Sequence, residues 1–181
     1  MRVLAAFIAF CMAVPSAYAI ETKDLIGNWR LVTATRLLVD SNEVINAYGG
    51  PKPTGWLNYS PDGRVMVVIA HEGRKKPVSN DKMTDEDRIG LHKSLVAYAG
   101  TFSFDGKNVT HNIDTSWNEV WSGTSQVRNA EYKDNKLIIS TPPFRFNVDG
   151  KMSVVTLTYE KTSVNTELGG WPRSVGSPPN M

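Results

Sequence analysis

The stretch KDLIGNWRLVTATRLL, Lys23 to Leu38, joins a Gly-x-Trp triplet to a long run of residues that favour β-structure. Gly27 and Trp29 stand at the head of the run, and Val, Thr and Leu dominate the part that follows. Branched and aromatic side chains are enriched in strands because they pack well on a half-buried pleated surface. The stretch therefore predicts a first strand, Trp29 to Val39, with a large aromatic side chain at its start.

The sequence after this strand consists mostly of short strand-like segments separated by turn signals, which is typical of an antiparallel all-β domain. Pro61-Asp62-Gly63 is one such turn, because Pro fixes φ and Gly tolerates positive φ. Gly106 and Asp134-Asn135 separate two further pairs of segments. The remaining predicted strands are Trp56 to Ser60, Arg64 to His71, Thr101 to Asp105, Asn108 to Thr115, Gly123 to Tyr132, Lys136 to Thr141 and Ser153 to Lys161.

One helix is predicted between the third and fourth of these eight strands. Thr84 precedes three acidic residues, Asp85 to Asp87. That is the pattern of an N-cap followed by charges that suit the helix dipole. Leu91, Leu95 and Tyr98 then recur at the spacing of one apolar helix face, and a glycine after them is expected to end the helix.

The number and order of the strands favour an up-and-down β-barrel, because closure removes the exposed edges that an open sheet would leave. A β-sandwich is the alternative that the same pattern permits. An eight-stranded barrel can enclose one small ligand. Residues 20–163 are thus predicted to form an all-β domain, an eight-stranded antiparallel up-and-down barrel with one short helix between the third and fourth strands.

The two ends of the sequence differ from this domain. Residues 1–19 have the order of a secretory signal peptide: a positive start, a short apolar run, and Ala17-Tyr18-Ala19 as a cleavage site. Residues 164–181 form a tail rich in Pro and Gly. The single cysteine, Cys11, lies inside the predicted signal peptide, so disulfides and thiol chemistry are not expected. We expect a secreted or periplasmic protein that is cleaved after Ala19.

Charge and hydropathy narrow the classes of partner. The chain has 20 Lys and Arg residues against 18 Asp and Glu residues, and this near-neutral balance argues against nucleic acid. No segment after the predicted signal peptide has about 18 consecutive apolar residues, so no membrane span is expected. The sequence carries no signal for the oligomeric state.

Seven segments, in a fixed order and spacing, carry a resemblance to a known family. They are LIGNWRLV (Leu25–Val32), PTGWLNYSPDGRVMV (Pro53–Val67), TDEDR (Thr84–Arg88), YAGTFSFDGKNVTH (Tyr98–His111), WSGTSQVRNAEY (Trp121–Tyr132), LIISTPP (Leu137–Pro143) and LTYEK (Leu157–Lys161). Together they resemble the lipocalin-like domain family of bacteria and fungi. The resemblance implies a barrel in which Trp29 closes one end and Gly27 permits a tight entry. It does not imply a reaction.

Motifs of common enzymes are missing, which limits the chemistry. The sequence contains no nucleophile elbow, phosphate loop, dinucleotide-binding loop or H-E-x-x-H zinc motif. His71, His92 and His111 are far apart, and none has metal-ligand spacing with another histidine. No metal and no other cofactor is therefore expected, and the catalytic residues of any reaction stay unassigned.

Polar residues at alternating strand positions are the first candidates for a ligand site. His111 shares a face with Val109 and Ile113. It is either a satisfied core histidine or a polar group that orients a ligand inside the barrel. Gln126 and Arg128 share a face that points either to solvent or into the barrel. An interior arginine needs a partner, and a ligand carboxylate or phenolate could be that partner.

Aromatic residues are the second group of candidates. Trp117 and Trp121 lie in a loop-like stretch, either at a ligand mouth or packed against each other as a cap. Tyr59 adds aromatic surface on the second strand, and His71 ends the third. The predicted ligand-binding set is His111, Arg128, Gln126, Trp117, Trp121, Tyr59 and His71, with Glu131 and Glu160 as competing partners for the arginine.

Three functions stay open from the sequence. The first is a secreted or periplasmic barrel that binds a small hydrophobic or amphipathic molecule. The alternative is a cofactor-independent isomerase, cyclase or hydratase, with His111 or His71 as base and Arg128 stabilising negative charge. The third is a structural or interaction protein of the envelope that uses the Trp-rich rim and the tail.

Overall fold

A computed structural model of the chain describes residues 20–146 and 148–162. The predicted signal peptide and the predicted tail lie outside the described residues. The helices are α1 (Thr22–Leu25) and α2 (Asp85–Lys93), with one turn of 3-10 helix at Glu119–Trp121. The strands are β1 (Gly27–Leu38), β2 (Glu43–Asn46), β3 (Thr54–Tyr59), β4 (Arg64–Ala70), β5 (Leu95–Phe104), β6 (Asn108–Ser116), β7 (Ser125–Lys133), β8 (Lys136–Ser140), β9 (Phe144–Arg145) and β10 (Met152–Lys161).

Eight of the strands close into a barrel. Neighbouring strands pair antiparallel in the order β1-β3-β4-β5-β6-β7-β8-β10, and β10 pairs again with β1. The closing register runs from Trp29 opposite Lys161 to Leu38 opposite Ser153. β2 pairs with the second half of β1, and β9 pairs with the start of β10. The predicted up-and-down barrel is confirmed, and the β-sandwich is not formed.

The predicted helix lies in the expected gap of the sequence, after the strand that begins at Arg64. α2 starts from an N-cap at Thr84, whose side chain accepts a hydrogen bond from the backbone of Asp87. Because the short strand β2 was not predicted, α2 falls between the fourth and fifth strands in chain order. In the described part of the chain, no helix is long and apolar enough to cross a membrane.

The end of the predicted helix was wrong. α2 ends at Lys93, and the chain from Leu95 onward is strand β5. β5 pairs with β4 from Leu95 opposite Ala70 to Thr101 opposite Arg64. The hydrogen bonds between β5 and β4 stabilise a strand here, whereas the predicted helical pattern rested on only three residues. Tyr98 therefore lies on a strand, and its side chain is buried inside the barrel.

The two ends of the barrel are built differently. At one end, short turns at residues 60–63, 105–107 and 134–135 join neighbouring strands. At the other end, the longer connections 71–94, 117–124 and 141–151 cross between strands. We call these the closed end and the open end. Short turns leave little room between them, so a cavity is expected at the open end.

Trp29 packs at the closed end, as the family resemblance implies. Its side chain has no exposed surface, and its indole N–H donates to the carbonyl oxygen of Leu25 in α1 at 2.7 Å. The ring meets Tyr132 edge-on, with centroids 6.2 Å apart. Gly27, just before it, has a φ of +136°, which side chains disfavour. The Gly-x-Trp triplet is therefore a structural plug of the barrel.

Gly100 occupies a close approach between β5 and β6. The register of the two strands shifts between Ala99 and Gly100. A Cβ atom at position 100 would lie 1.9 Å from the backbone oxygen of Asn112. Only glycine fits there without moving the backbone of the neighbouring strand.

The substitution Gly100→Ala is expected to lower the free energy of unfolding by about 2 kcal/mol, because the methyl group overpacks a rigid strand. Gly90→Ala is the matched control, since Gly90 lies in α2 with no atom within 4 Å of the added methyl group. The control is expected to gain up to about 1 kcal/mol from helix propensity. Urea unfolding measures both variants, and an equal gain in the two would contradict the packing of Gly100.

Candidate functional site

A cavity of about 370 Å³ opens inside the barrel toward the open end. Its volume falls within the range of about 300 to 1,000 Å³ that small-molecule sites occupy. Apolar wall residues come from β4, β5 and β10 and include Val67, Ile69, Val96, Val155 and Leu157. Polar groups reach it at a few points only: Tyr48, Tyr98, Gln126, Arg128, Thr141 and Arg145. We call it the main cavity.

A second cavity of about 250 Å³ adjoins the first at the mouth of the barrel. The two share the lining residues Tyr48, Val96, Trp121 and Phe144. The second cavity extends to the end of α2 and to the β6–β7 connection, where His71, His92 and Trp117 line it. We call it the mouth cavity.

Of the seven predicted ligand-binding residues, five line a cavity and two do not. Gln126 and Arg128 line the main cavity, and Trp121 lines both cavities. Trp117 and His71 line the mouth cavity but not the main cavity. His111 and Tyr59 are buried side chains that form part of neither lining; they lie on the inner face of the barrel and reach the main cavity through a third residue.

That third residue is Tyr98, and it completes a buried chain of three side chains. The hydroxyl of Tyr59 lies 2.7 Å from Nε2 of His111. The hydroxyl of Tyr98 lies 2.8 Å from Nδ1 of the same ring. Strands β3, β6 and β5 supply the three residues in turn. We call this chain the Tyr–His–Tyr relay; it leads from the core to the wall of the main cavity.

Burial keeps His111 neutral. The side chain is 2 % exposed, and this burial, helped by the nearby charge of Arg128, lowers the pKa of His111 to about 3. A neutral imidazole offers one N–H donor and one acceptor nitrogen. Both nitrogens are already engaged by tyrosines. His111 is thus a satisfied core histidine, and it does not reach a ligand directly.

The available donors and acceptors favour one arrangement of protons in the Tyr–His–Tyr relay. Tyr59 is fully buried and has no hydrogen-bond partner other than His111 among the described residues. If Tyr59 accepted from the ring, its own O–H would stay unpaired, at a cost of about 1 to 3 kcal/mol. Tyr59 therefore donates to Nε2, and Nδ1–H donates to Tyr98. The O–H of Tyr98 is then free to donate into the main cavity.

The tyrosines of the barrel interior stay protonated at neutral pH. Burial raises the pKa of Tyr98, and the charge of Arg128 partly counteracts that rise. Burial likewise raises the pKa values of Tyr48 and Tyr59. At the main cavity, Tyr98 is consequently a hydroxyl donor and not a phenolate.

Arg128 contributes a positive charge to the main cavity without a carboxylate partner among the described residues. Its guanidinium donates to the side-chain oxygen of Gln126 and to the carbonyl oxygen of Val127, the latter at 3.1 Å. Each described ion pair involves another cation. Of the two competing acids, Glu160 pairs with Arg30 at 3.0 Å, and Glu131 is exposed.

Arg36 is a buried arginine with a structural role, and its hydrogen bonds are made to other groups of the protein. It is 4 % exposed and donates to both carboxylate oxygens of Asp149 at 2.7 and 2.9 Å. It also donates to the hydroxyl of Ser153 at 2.8 Å and stacks on Phe146. The carboxylate beside it lies in the β8–β10 connection and ties that loop to β1. Arg128 has no such carboxylate among the described residues.

Aromatic side chains surround the mouth cavity. Trp117 and Trp121 meet edge-on with centroids 4.7 Å apart, and Trp121 contacts Tyr98 in the same manner at 5.9 Å. The indole N–H of Trp117 donates to the carbonyl oxygen of His92 at 3.2 Å. The two tryptophans pack against each other and also line the cavities; their contact with a ligand stays a prediction. His71 stacks on Tyr48 across the mouth at 5.1 Å.

Several cavity residues were missed by sequence reasoning. Tyr98 was placed on a helix face; strand alternation from Tyr98 through Gly100 to Phe102 is the signal that could have placed it inside the barrel. Tyr48, Phe144 and Arg145 follow no periodic pattern, because they lie in or beside connections at the open end. Among the described residues, no three His, Cys, Asp or Glu side chains group closely enough to hold a metal ion.

Comparison with known proteins agrees with this architecture. Residues 26–162 match the model of a family described as lipocalin-like domain. The match spans the barrel from just before β1 to just after β10. No curated protein matches the chain. The family match therefore supports the fold and leaves the ligand to be argued from the site.

Proposed function

Since the chain belongs to the lipocalin-like domain family, we propose that it binds a small hydrophobic or amphipathic molecule inside its barrel. The observation that carries the proposal is the main cavity, whose wall is largely apolar and which Tyr98 and Arg128 both line. Apolar walls favour burial of an apolar ligand by about 25 cal/mol per Å². A few fixed polar groups then orient it.

The size of the cavity bounds the ligand. The main cavity of about 370 Å³ lies near the lower end of the range of small-molecule sites, so it suits a small ligand. A longer molecule would extend through the mouth cavity past Trp121.

A matched pair of variants on β4 tests the binding site. Val67 is buried and lines the main cavity, whereas its neighbour Val68 points outward and is half-exposed. In Val67→Trp the indole occupies cavity volume, so the dissociation constant of 1-octanol is expected to rise at least tenfold over the unaltered protein. Isothermal titration calorimetry measures it. Val68→Trp is expected to bind as the unaltered protein does; equal binding by both variants would place the ligand elsewhere.

A cofactor-independent isomerase, cyclase or hydratase is the second candidate. The observation that favours it is the pair of donors, Tyr98 and Arg128, beside an apolar cavity, an arrangement that stabilises developing negative charge. His111 does not face this site, so His71 at the mouth would be the base. Burial and the charge of Arg74 lower the pKa of His71, which favours its neutral, basic form. A ligand recovered chemically unchanged after long incubation with the protein would argue for binding alone.

The proposal includes a site of action outside the cytoplasm, in the periplasm or the medium. Its support is the order of charge, apolar run and cleavage site in residues 1–19. Mass spectrometry of exported protein is expected to give an N-terminus at Ile20. Protein that keeps its first residues and stays in the cytoplasm would contradict this part of the proposal.

A further inference from the structure

The lining of the two cavities is positively charged. Arg128 and Arg145 line the main cavity, and Lys93 lines the mouth cavity. Among the described residues, neither lining contains an Asp or a Glu. A cleft lined by one sign of charge between low-dielectric walls concentrates ligands of the opposite sign. The charge of the site therefore selects an anion over a neutral or cationic molecule.

Arg128 and Tyr98 present hydrogen-bond donors to the same cavity. Arg128 donates to the neutral oxygens of Gln126 and Val127, and it lies within hydrogen-bond reach of the Tyr98 hydroxyl oxygen, which partly offsets the raised pKa of Tyr98. Among the described residues it has no carboxylate partner. The Tyr–His–Tyr relay leaves the O–H of Tyr98 free to donate. The guanidinium of Arg128 and the hydroxyl of Tyr98 both face the main cavity. A negatively charged acceptor suits this pair of donors, because charge-assisted hydrogen bonds are stronger than neutral ones.

We infer that the ligand is an amphipathic carboxylate, whose head accepts hydrogen bonds from Arg128 and Tyr98 and whose apolar tail lies against the valine and leucine wall of the main cavity. This inference rests on the proposed function, because it names the chemical class that the same site takes.

The test compares two probes that share a chain of eight carbons and differ in charge. Octanoate and 1-octanol are titrated into the protein at pH 7 by calorimetry. The unaltered protein is expected to bind octanoate at least tenfold more tightly than 1-octanol. The preference is expected to shrink as salt rises, because the interaction is between charges. This salt dependence is measured on the unaltered protein and needs no variant to fold.

Arginine variants then locate the head group. In Arg128→Met the affinity for octanoate is expected to fall more than that for 1-octanol, so that the preference for octanoate vanishes; in Arg128→Lys part of the preference is expected to stay. Arg30→Met is the control, because Arg30 lies outside the barrel and pairs with Glu160. Tyr98→Phe is expected to weaken octanoate severalfold and to weaken 1-octanol less, because a hydrogen bond to a carboxylate is stronger than one to a neutral hydroxyl.

Each contrary outcome has a distinct meaning. Equal affinity for the two probes in the unaltered protein would overturn the carboxylate inference and leave the proposed function standing. Binding of neither probe would overturn both. A preference that survives Arg128→Met but is lost in Arg145→Met would overturn the assignment of the head group to Arg128.

Discussion

Replacing Trp29 by alanine is expected to lower the free energy of unfolding by about 3 to 5 kcal/mol, the cost typical of deleting a large buried aromatic side chain. Trp29 has no exposed surface. Its loss would open a cavity at the closed end and remove the hydrogen bond from the indole to Leu25. It would also remove the edge-on contact with Tyr132. Urea unfolding of the variant measures the change.

Trp56 supplies the matched control for this prediction. It lies on β3, opposite Arg30 of β1, but its side chain points outward and is 48 % exposed. Trp56→Ala is expected to change the free energy of unfolding by about 1 kcal/mol or less, as surface substitutions usually do. If the two variants lost equal stability, the role of Trp29 as the plug of the closed end would be wrong.

The stability of the protein is expected to fall on acidification because of His111. Its pKa is about 3 in the folded barrel and about 6.5 in an unfolded chain. Between these values the unfolded state binds a proton that the folded state does not. Stability is therefore lost as pH falls from about 6.5 toward 3, and the loss between pH 7 and pH 4 is about 3 kcal/mol.

The variant His111→Gln isolates this contribution. A glutamine amide offers one acceptor oxygen and N–H donors, so it can replace both hydrogen bonds of the neutral ring. It does not take up a proton in this range. The difference in unfolding free energy between pH 7 and pH 4 is expected to shrink by about 3 kcal/mol in the variant.

His71→Gln serves as a graded control for the pH experiment. His71 is only half-buried, and its pKa is lowered by burial and by Arg74. Its replacement is expected to remove a smaller part of the pH dependence. Carboxylates such as Asp149, whose pKa Arg36 lowers, contribute equally in all three proteins and cancel. An unchanged pH dependence in His111→Gln would contradict the neutral, buried state of His111.

The barrel could be predicted from the sequence because its signals are local. Pro61-Asp62-Gly63 and Asp134-Asn135 mark tight turns by their chemistry, and the segments between the turns are rich in strand-forming residues. Trp29 and Gly27 mark the closed end. The short strand β2 was missed because its pairing with β1, and not its own four residues, defines it. The helix was predicted too long because pairing of β5 with β4 competes with a short helical pattern.

The candidate site could be predicted only in part. Alternation placed His111 with Val109 and Ile113 on one face, and all three are buried inside the barrel. Strand alternation does not determine whether Arg128 faces solvent or the interior of the barrel, because polar residues at alternating positions are compatible with either orientation. The volume of the cavity depends on how side chains from several strands pack together, and these strands are far apart in the sequence. No single segment of the sequence therefore predicts the cavity. Tyr98, which joins His111 to the cavity, was hidden by the incorrect helix end.

A titration of the protein with 1-octanol, followed by NMR of labelled valine, leucine and isoleucine methyl groups, tests the binding claim most directly. Saturable shifts are expected at the inner-wall methyl groups of Ile69, Val96 and Leu157. The exposed methyl groups of Val44 and Val68 are expected to stay unchanged. Shifts confined to exposed methyl groups, or no saturable shift at all, would contradict a ligand-binding barrel.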